Sequence, residues 1–453
     1  TYLGIEPDHP LAEAAVGLEG IPFYTLRDME TFLDGIPMES ENPNIVISTC
    51  TAPIVMAQYL AVAQQRGLDI TKLKGNILNE PIKAHYTCYT PTSASYKLDL
   101  CLKTSGDIVE FCLKNMPRWN PINIQFFAFV YGVDIPTELA IGFGIAEAHI
   151  EEALRRGIDI DEIAPKMSFL GPVTTIHILE DIAKLRATRR MWAGLMKEKY
   201  NARSPRSWGM RIAVHTGTVD LFPQEPLNNI VRLTLESLAA VLGGCQSLEV
   251  CCYDEPISLP TEESSRTSLR IQQILAYETG LTKTADPLGG SYYIEYLTNE
   301  IERQTNEVVK EMDDRGGIIG VIESGWLDRK LEESCARYQK ELDIGERIRM
   351  GVNKFRTPVE TQTIVGVHRT PPKAAEIQLN NWRNVKENRD NEKVRDTLQI
   401  LFNRAQEKKE NLMPYILESV KTYATTAEIY GTIREAFGYC YDPLETVESP
   451  FKR

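Results

Sequence analysis

The sequence predicts an α/β fold, a (β/α)8 barrel with a C-terminal helical appendage, on three observations. Short apolar runs of strand length recur between residues 44 and 253. Amphipathic stretches of helical period separate them, and alternation at spacings of about 30–45 residues builds parallel sheet with crossover helices. No G-x-G-x-x-G follows an early strand, which places the rival, a doubly wound open sheet, second.

In chain order the strand-like runs are NIVIST (44–49), KGNILN (74–79), INIQFF (122–127), KMSFLG (166–171), MRIAVHTG (210–217) and SLEVCCY (247–253). A weaker seventh lies in GGSYYIE (289–295). Seven units are one short of a barrel, so the first strand is expected upstream of Thr1 or is cryptic. Among the helices, Thr137 to Gly157 has a capping residue at its start and a glycine at its end. The barrel is expected to occupy residues 1–355, followed by a Thr- and Pro-rich linker (356–375) and a helical segment (376–453). In that last segment Val394, Leu398, Leu401 and Ala405 share a helical face, a second helix is expected near Pro414, and TTAE (425–428) offers a capping box for a third.

Composition narrows the function classes. Net charge is −13 with both signs interspersed, which disfavours binding to a nucleic-acid backbone. There is no run of eighteen apolar residues and no signal-peptide pattern, so a cytoplasmic, membrane-free protein is expected, with a processed or incomplete start at Thr1. Nine scattered cysteines suit a reducing compartment better than a disulfide framework.

Several strands carry polar residues where barrel interiors usually hold Val, Ile and Leu: Asn76, Asn123, Gln125 and His215. They imply either a lined cavity or a hydrogen-bonded core, since a buried polar group without a partner costs a few kcal/mol. Strand ends single out His215, Asp254 and Glu255. The six histidines show no metal-ligand spacing, so no metal site is expected. Adjacent residues of a strand face opposite ways, so Cys251 and Cys252 are not expected to share a zinc or form a disulfide. A nucleophilic Cys–His pair stays open, although no spacing supports one. The glycines of DPLGGSYYIE (286–295) read as a turn.

Four segments taken together, LAAVLGGCQSL (238–248), CYDEPISLPTE (252–262), ETGLTKTADPLGGSYYIE (278–295) and GVNKF (351–355), resemble the adenosylcobalamin-dependent acyl-CoA mutases, the methylmalonyl-CoA mutase family. The resemblance runs from DHP (8–10) to the C-terminal helices. It implies a (β/α)8 barrel with coenzyme A along its axis and part of that tunnel in a more N-terminal segment. It also implies radical migration of a thioester-bearing group to the neighbouring carbon. The family's cobalamin-binding D-x-H-x-x-G motif does not occur in these residues. The chain therefore looks like the large subunit of a split mutase, a hetero-oligomer whose adenosylcobalamin is bound mainly by a separate small subunit.

Residue by residue, the resemblance assigns Glu255 to the adenosyl ribose, with Cys251 replacing a nearby asparagine. Lys166 and Ser168 stand where the family has a ligand-contacting arginine and serine. Leu78 replaces a glutamine, and Cys88 replaces the arginine that binds the methylmalonyl carboxylate. Gln125, Phe126, Phe127 and Ala128 align with S-G-Y-H, so Ala128 replaces the histidine that touches the thioester carbonyl. Asn76 and Gln246 complete the expected substrate-binding set. His215 stands where relatives have glutamine and is the expected catalytic donor to the thioester oxygen; a core histidine bonded to backbone is the alternative. The expected function is an acyl-CoA carbon-skeleton mutase acting on an acyl group without the methylmalonyl carboxylate. The alternatives are a non-catalytic barrel subunit and a methylmalonyl-CoA mutase with altered carboxylate recognition.

Overall fold

The computed structural model describes residues 1–12, 16–17, 20–47, 49–87, 97–174, 177–358 and 366–449. They fall into two compact units, one drawn from residues 1–123, 148–167 and 370–453, the other from 124–147 and 168–369. Both are α/β, with parallel strands joined through helices.

The first unit holds a three-stranded sheet in the order β1 (Asn44–Ile45), β2 (Gly75–Ile77), β3 (Trp119–Asn120). Its register aligns Asn44, Asn76 and Asn120. Their side chains form a ladder: Asn76 donates to Asn44 at 2.6 Å and accepts from Asn120 at 3.1 Å. Asn76 is thus a hydrogen-bonded strand residue. The sequence-predicted strand at 122–127 begins earlier, as β3, and resumes as β4 (Ile122–Gln125) after Pro121, which has no N–H to offer the ladder.

The Ala52–Gln65 helix is buried from Ala52 to Ala63, as expected of a helix apolar all round. Within this unit it is covered by the Met413–Lys421 and Thr426–Ala436 helices. The C-terminal reading holds in detail. Val394, Leu398, Leu401 and Ala405 are the buried face of the Asn391–Gln406 helix. Pro414 sits in the first turn of the next helix, and Thr425 and Glu428 form the capping box. The Ala374–Asn388 helix starts inside the stretch read as linker, of which residues 359–365 lie outside the described residues.

The second unit carries a four-stranded sheet in the order β4, β5 (Met167–Val173), β6 (Ile212–Thr216), β7 (Ser247–Glu249). Phe126, Phe143, Phe169 and Trp192 pack between sheet and helices, with Phe169 and Trp192 ring centroids 4.7 Å apart. Gly142 explains itself here: a Cβ on it would meet Phe126 Cδ1 at 1.9 Å. Gly142→Ala is expected to destabilise the chain by about 1–3 kcal/mol through overpacking, measurable as a lower urea midpoint at unchanged slope.

Three sequence expectations are corrected. GGSYYIE is no strand: Tyr292–Asp313 is one helix whose buried residues, Ile294, Thr298, Ile301, Thr305 and Met312, follow helical spacing. Its start is clamped by Arg186, which reaches Asp286 at 2.7 Å and Glu295 at 2.6 Å. The helix expected from Thr137 runs Ile135–Arg155, because Asp134 rather than Thr137 caps it, accepting the Thr137 N–H at 2.8 Å. Strand β7 ends at Glu249 and not Tyr253, because the Thr216 hydroxyl instead of a backbone carbonyl takes the Cys251 N–H, at 2.8 Å. No described helix is long and apolar enough to cross a membrane.

Lys184 is buried between Asp181, 3.0 Å away, and Glu138, 3.3 Å away. One ammonium cannot neutralise two carboxylates, and burial pushes the more distant Glu138 up to about 7 against the pull of Lys184. Burial pulls Lys184 down, but Asp181 and Glu138 outweigh it and hold the ammonium above its usual value. Between pH 4.5 and about 7 the folded Glu138 binds a proton that the unfolded one has lost. Its contribution is therefore full below pH 4.5 and lost as pH rises through about 7. Glu138→Gln is expected to flatten the fall in melting temperature across that window, read as the difference between the two pH profiles.

Candidate active site

Strand β6 presents two faces. Ile212, Val214 and Thr216 are buried, whereas Ala213 and His215 are half-buried on the other face. In register His215 lies beside Pro172 of β5 and Glu249 of β7. Because Phe169 turns to Trp192 of the Ile178–Gly194 helix, its alternates Ser168, Leu170 and Pro172 share the His215 face. His215 therefore stands at the C-terminal end of its strand, away from the helix layer. The Phe127 ring at the end of β4 faces it, centroids 6.4 Å apart.

Cys251 closes on His215 from beyond the end of β7. Its Sγ lies 3.4 Å from His215 Nε2 and 3.4 Å from the Thr216 carbonyl oxygen. Burial pushes its thiol up to about 12, opposed by the Thr216 contact and reinforced by Glu255. The nucleophilic form of cysteine is the thiolate, and this burial disfavours it. Cys252 faces the other way, its Sγ 3.9 Å from Ser265 Oγ on the Glu262–Tyr277 helix. The two cysteines thus diverge, and no described group of three or more His, Cys, Asp or Glu is arranged to hold a metal ion.

Glu255 is exposed at the rim of this cluster. Partial desolvation, aided by Asp254 and Glu249, raises its carboxyl above the usual range, while His215 opposes the rise. Its carboxylate makes no hydrogen bond among the described residues, so its acceptors are open to a ligand hydroxyl. Asp254, singled out from its strand-end position, has a different task. It is fully buried, and its Oδ2 accepts from both the backbone N–H and the hydroxyl of Thr261 at 3.1 Å, fixing the loop after Cys252.

The remaining expected residues divide between the units. Gln125 and Ala128 are buried around the end of β4, and Ser168 is half-buried at the start of β5, all in the second unit. Gln246 sits at the opposite end of the sheet from His215: it precedes β7, is exposed, and its Oε1 accepts the Ile212 N–H at 2.6 Å. The first unit holds Asn76, Leu78 and Lys166. Leu78 is buried and Lys166 donates to the Pro117 carbonyl. Cys88 lies outside the described residues. Sequence reasoning missed Thr216 and the packing role of Phe127. The Thr216 signal was its adjacency to His215, but only the strand register reveals that its hydroxyl anchors Cys251.

Comparison with known proteins supplies the context for this cluster. The family profile described as methylmalonyl-CoA mutase matches residues 1–439. The 2-hydroxyisobutanoyl-CoA mutase large subunit of Aquincola tertiaricarbonis is 34% identical over 440 residues, covering 97% of this chain and 77% of that protein. A methylmalonyl-CoA mutase of Rhizobium meliloti (strain 1021) is 32% identical, covering 97% of this chain and 61% of its own length. The mitochondrial methylmalonyl-CoA mutase of Homo sapiens is 30% identical, covering 97% and 58%. The chain thus spans about three-fifths of the length of these two methylmalonyl-CoA mutases.

Proposed function

The chain belongs to the methylmalonyl-CoA mutase family, and from that premise we propose that it is the large, substrate-binding subunit of an adenosylcobalamin-dependent acyl-CoA mutase whose acyl group lacks the methylmalonyl carboxylate. The observation that carries the reading is the cluster of His215, Cys251 and Glu255 at the C-terminal ends of parallel strands, where barrel enzymes place their chemistry. The finer architecture proposed is a (β/α)8 barrel containing β1–β7, with 1–355 as the barrel, 356–375 as a linker and 376–453 as a helical segment. The proposed setting is cytoplasmic.

The residues present fit the adenosyl group at one point. Glu255 has an exposed carboxylate with open acceptors, suited to ribose hydroxyls, whereas the Cys251 thiol is buried against His215 and the Thr216 carbonyl. When bound, adenosylcobalamin supplies a carbon-centred radical that removes a substrate hydrogen. This chain's residues then have three tasks: hold the thioester, exclude water and keep the migrating group in place. Ala128 has no donor for the thioester oxygen, and His215 takes over that hydrogen bond. Gln125, Ser168, Lys166, Asn76 and Gln246 are assigned to the coenzyme A moiety. Leu78, Cys88 and Ala128 are assigned to the acyl group by the resemblance, and none of the three carries a charge at neutral pH.

Cys88 sets the substrate preference. A thiol cannot pair with a carboxylate as a guanidinium fork does, and a buried carboxylate without a partner is costly. An uncarboxylated branched acyl group therefore fits better than methylmalonyl. A large-subunit relative also supports a separate partner, proposed here as a small D-x-H-x-x-G subunit that binds most of the cobalamin. Mixing the two chains with adenosylcobalamin tests the assembly. A hetero-oligomer that co-elutes with the cofactor in size-exclusion chromatography is expected, and separate elution at micromolar concentrations would contradict the proposal.

A further inference from the structure

Cys50 and Cys101, in the first unit, have no task in the chemistry derived above. Their sulfurs lie 3.4 Å from each other although 51 positions separate the two residues in the chain. Cys50 precedes Thr51, the capping residue of the Ala52–Gln65 helix, and Cys101 lies in the first turn of the Leu98–Asn115 helix. The two helices pack together, which brings their starts into contact. Both side chains are fully buried. The Cys101 sulfur also lies 3.7 Å from the Pro81 carbonyl oxygen, where the chain leaving β2 packs on the Leu98–Asn115 helix.

A disulfide has an S–S bond of about 2.05 Å, so these sulfurs have only about 1.3 Å left to close. The two thiols are not equivalent. The Cys101 thiol beside it holds the Cys50 thiol below its usual value, and Tyr430, Thr104 and the buried Arg434 guanidinium act the same way against burial. Burial pushes the Cys101 thiol well up, and the contact with Cys50 adds to the rise. Cys50 is therefore the sulfur that attacks an oxidant, and Cys101 the one that resolves the product.

We propose that Cys50 and Cys101 are a redox-responsive dithiol, which a hydroperoxide oxidises to an intrachain disulfide that staples the starts of the two helices together. The Cys50 thiolate attacks the peroxide; the O–O bond breaks, an S–O bond forms, and water or alcohol leaves carrying the thiol proton. The Cys101 sulfur then attacks the Cys50 sulfur; the S–S bond forms, the S–O bond breaks, and hydroxide leaves with the Cys101 proton as water. Two electrons pass from the dithiol to the peroxide. Hydrogen peroxide is close to water in size and reaches the pair through local opening of the helix ends, which fray first. Burial also limits further oxidation, since Cys101 already touches the sulfenic sulfur while a second peroxide must diffuse in. The inference stands apart from the mutase reading, for it needs neither cofactor nor thioester.

The test treats the purified full chain with hydrogen peroxide, blocks remaining thiols with N-ethylmaleimide, and digests it with trypsin without reductant for mass spectrometry. Trypsin releases Cys50 in residues 28–66 and Cys101 in residues 98–103, neither with a second cysteine. The two peptides are expected to appear joined, two hydrogens lighter than their sum, and to separate on adding dithiothreitol. In Cys101→Ser the joined species is expected to vanish and dimedone to label Cys50 as the sulfenic acid. Linking positions 50 and 101 closes a long loop in the unfolded chain. Oxidised wild-type protein is therefore expected to melt on the order of 2–5 °C above the reduced protein, with no such rise in Cys101→Ser. A peroxide dose that oxidises the exposed Cys335 and Cys440 yet leaves Cys50 and Cys101 unlinked would overturn the proposal. So would linkage that forms only in urea, or linkage without a rise in melting temperature. The wild-type peptides decide the linkage even where the variant fails to fold.

Discussion

His215→Ala is expected to lower turnover about 100-fold, because removing one donor aimed at a reacting carbonyl oxygen typically costs that much or more. The imidazole is half-buried and its ring contacts are with Phe127 and Cys251, so the melting temperature should move little. His215→Gln, which keeps an N–H donor, is expected to recover part of the loss. The effect should appear mainly in kcat, since a bond that strengthens as the thioester reacts contributes more to the transition state than to binding. Unchanged turnover in His215→Ala would remove His215 from the mechanism and return it to the class of core histidines.

The largest expected effect on stability lies in the first unit, at Asp107. Its carboxylate is fully buried and accepts from Arg156 Nη1 at 2.8 Å, from the Leu412 backbone N–H at 3.0 Å, and from Lys103 Nζ. Lys103 also donates to the Glu410 carbonyl at 2.7 Å, so the network ties the Leu98–Asn115 helix to the loop before the Met413–Lys421 helix. Asp107→Ala leaves Lys103 buried without its carboxylate, and removing one partner of a buried ion pair typically costs about 3–5 kcal/mol. Equilibrium urea unfolding checks it. A loss below about 1 kcal/mol would mean that Glu110 and Glu152, both already bonded to Arg156, can carry its charge, and that Lys103 finds water.

Legibility in the sequence followed physical locality. Strands β1, β2, β4, β5, β6 and β7 were readable because each is a short apolar run, and the C-terminal helices because Val394, Leu398, Leu401 and Ala405 repeat at helical spacing. The Tyr292–Asp313 helix was misread from its first residues. GGSYYIE holds three β-favouring residues, and the burial of Ile294, Thr298 and Ile301 that decides for helix lies further along the chain. Asp134 and Thr137 are both acceptable caps, and only the backbone path chooses between them.

The candidate site was legible in identity and not in geometry. His215 and Glu255 stood out as polar groups at strand ends. That Cys251 engages the His215 ring across 36 positions follows from the β6–β7 register, which no local pattern encodes. Asp254 shows the converse: a strand-end carboxylate that resembled a functional group is spent on Thr261.

The central claim is that this pocket catalyses rearrangement of an acyl group with no carboxylate. Isobutyryl-CoA and methylmalonyl-CoA differ only by methyl against carboxylate at the branching carbon, so they isolate that claim. The deciding measurement is the ratio of their kcat/KM values in the assembled enzyme, with isomerised thioester quantified by chromatography. A ratio of at least about 100 in favour of isobutyryl-CoA is predicted, the consequence of a buried charge left unpaired by about 3 kcal/mol or more. A ratio below one, or no isomerised product from either thioester, would contradict the account.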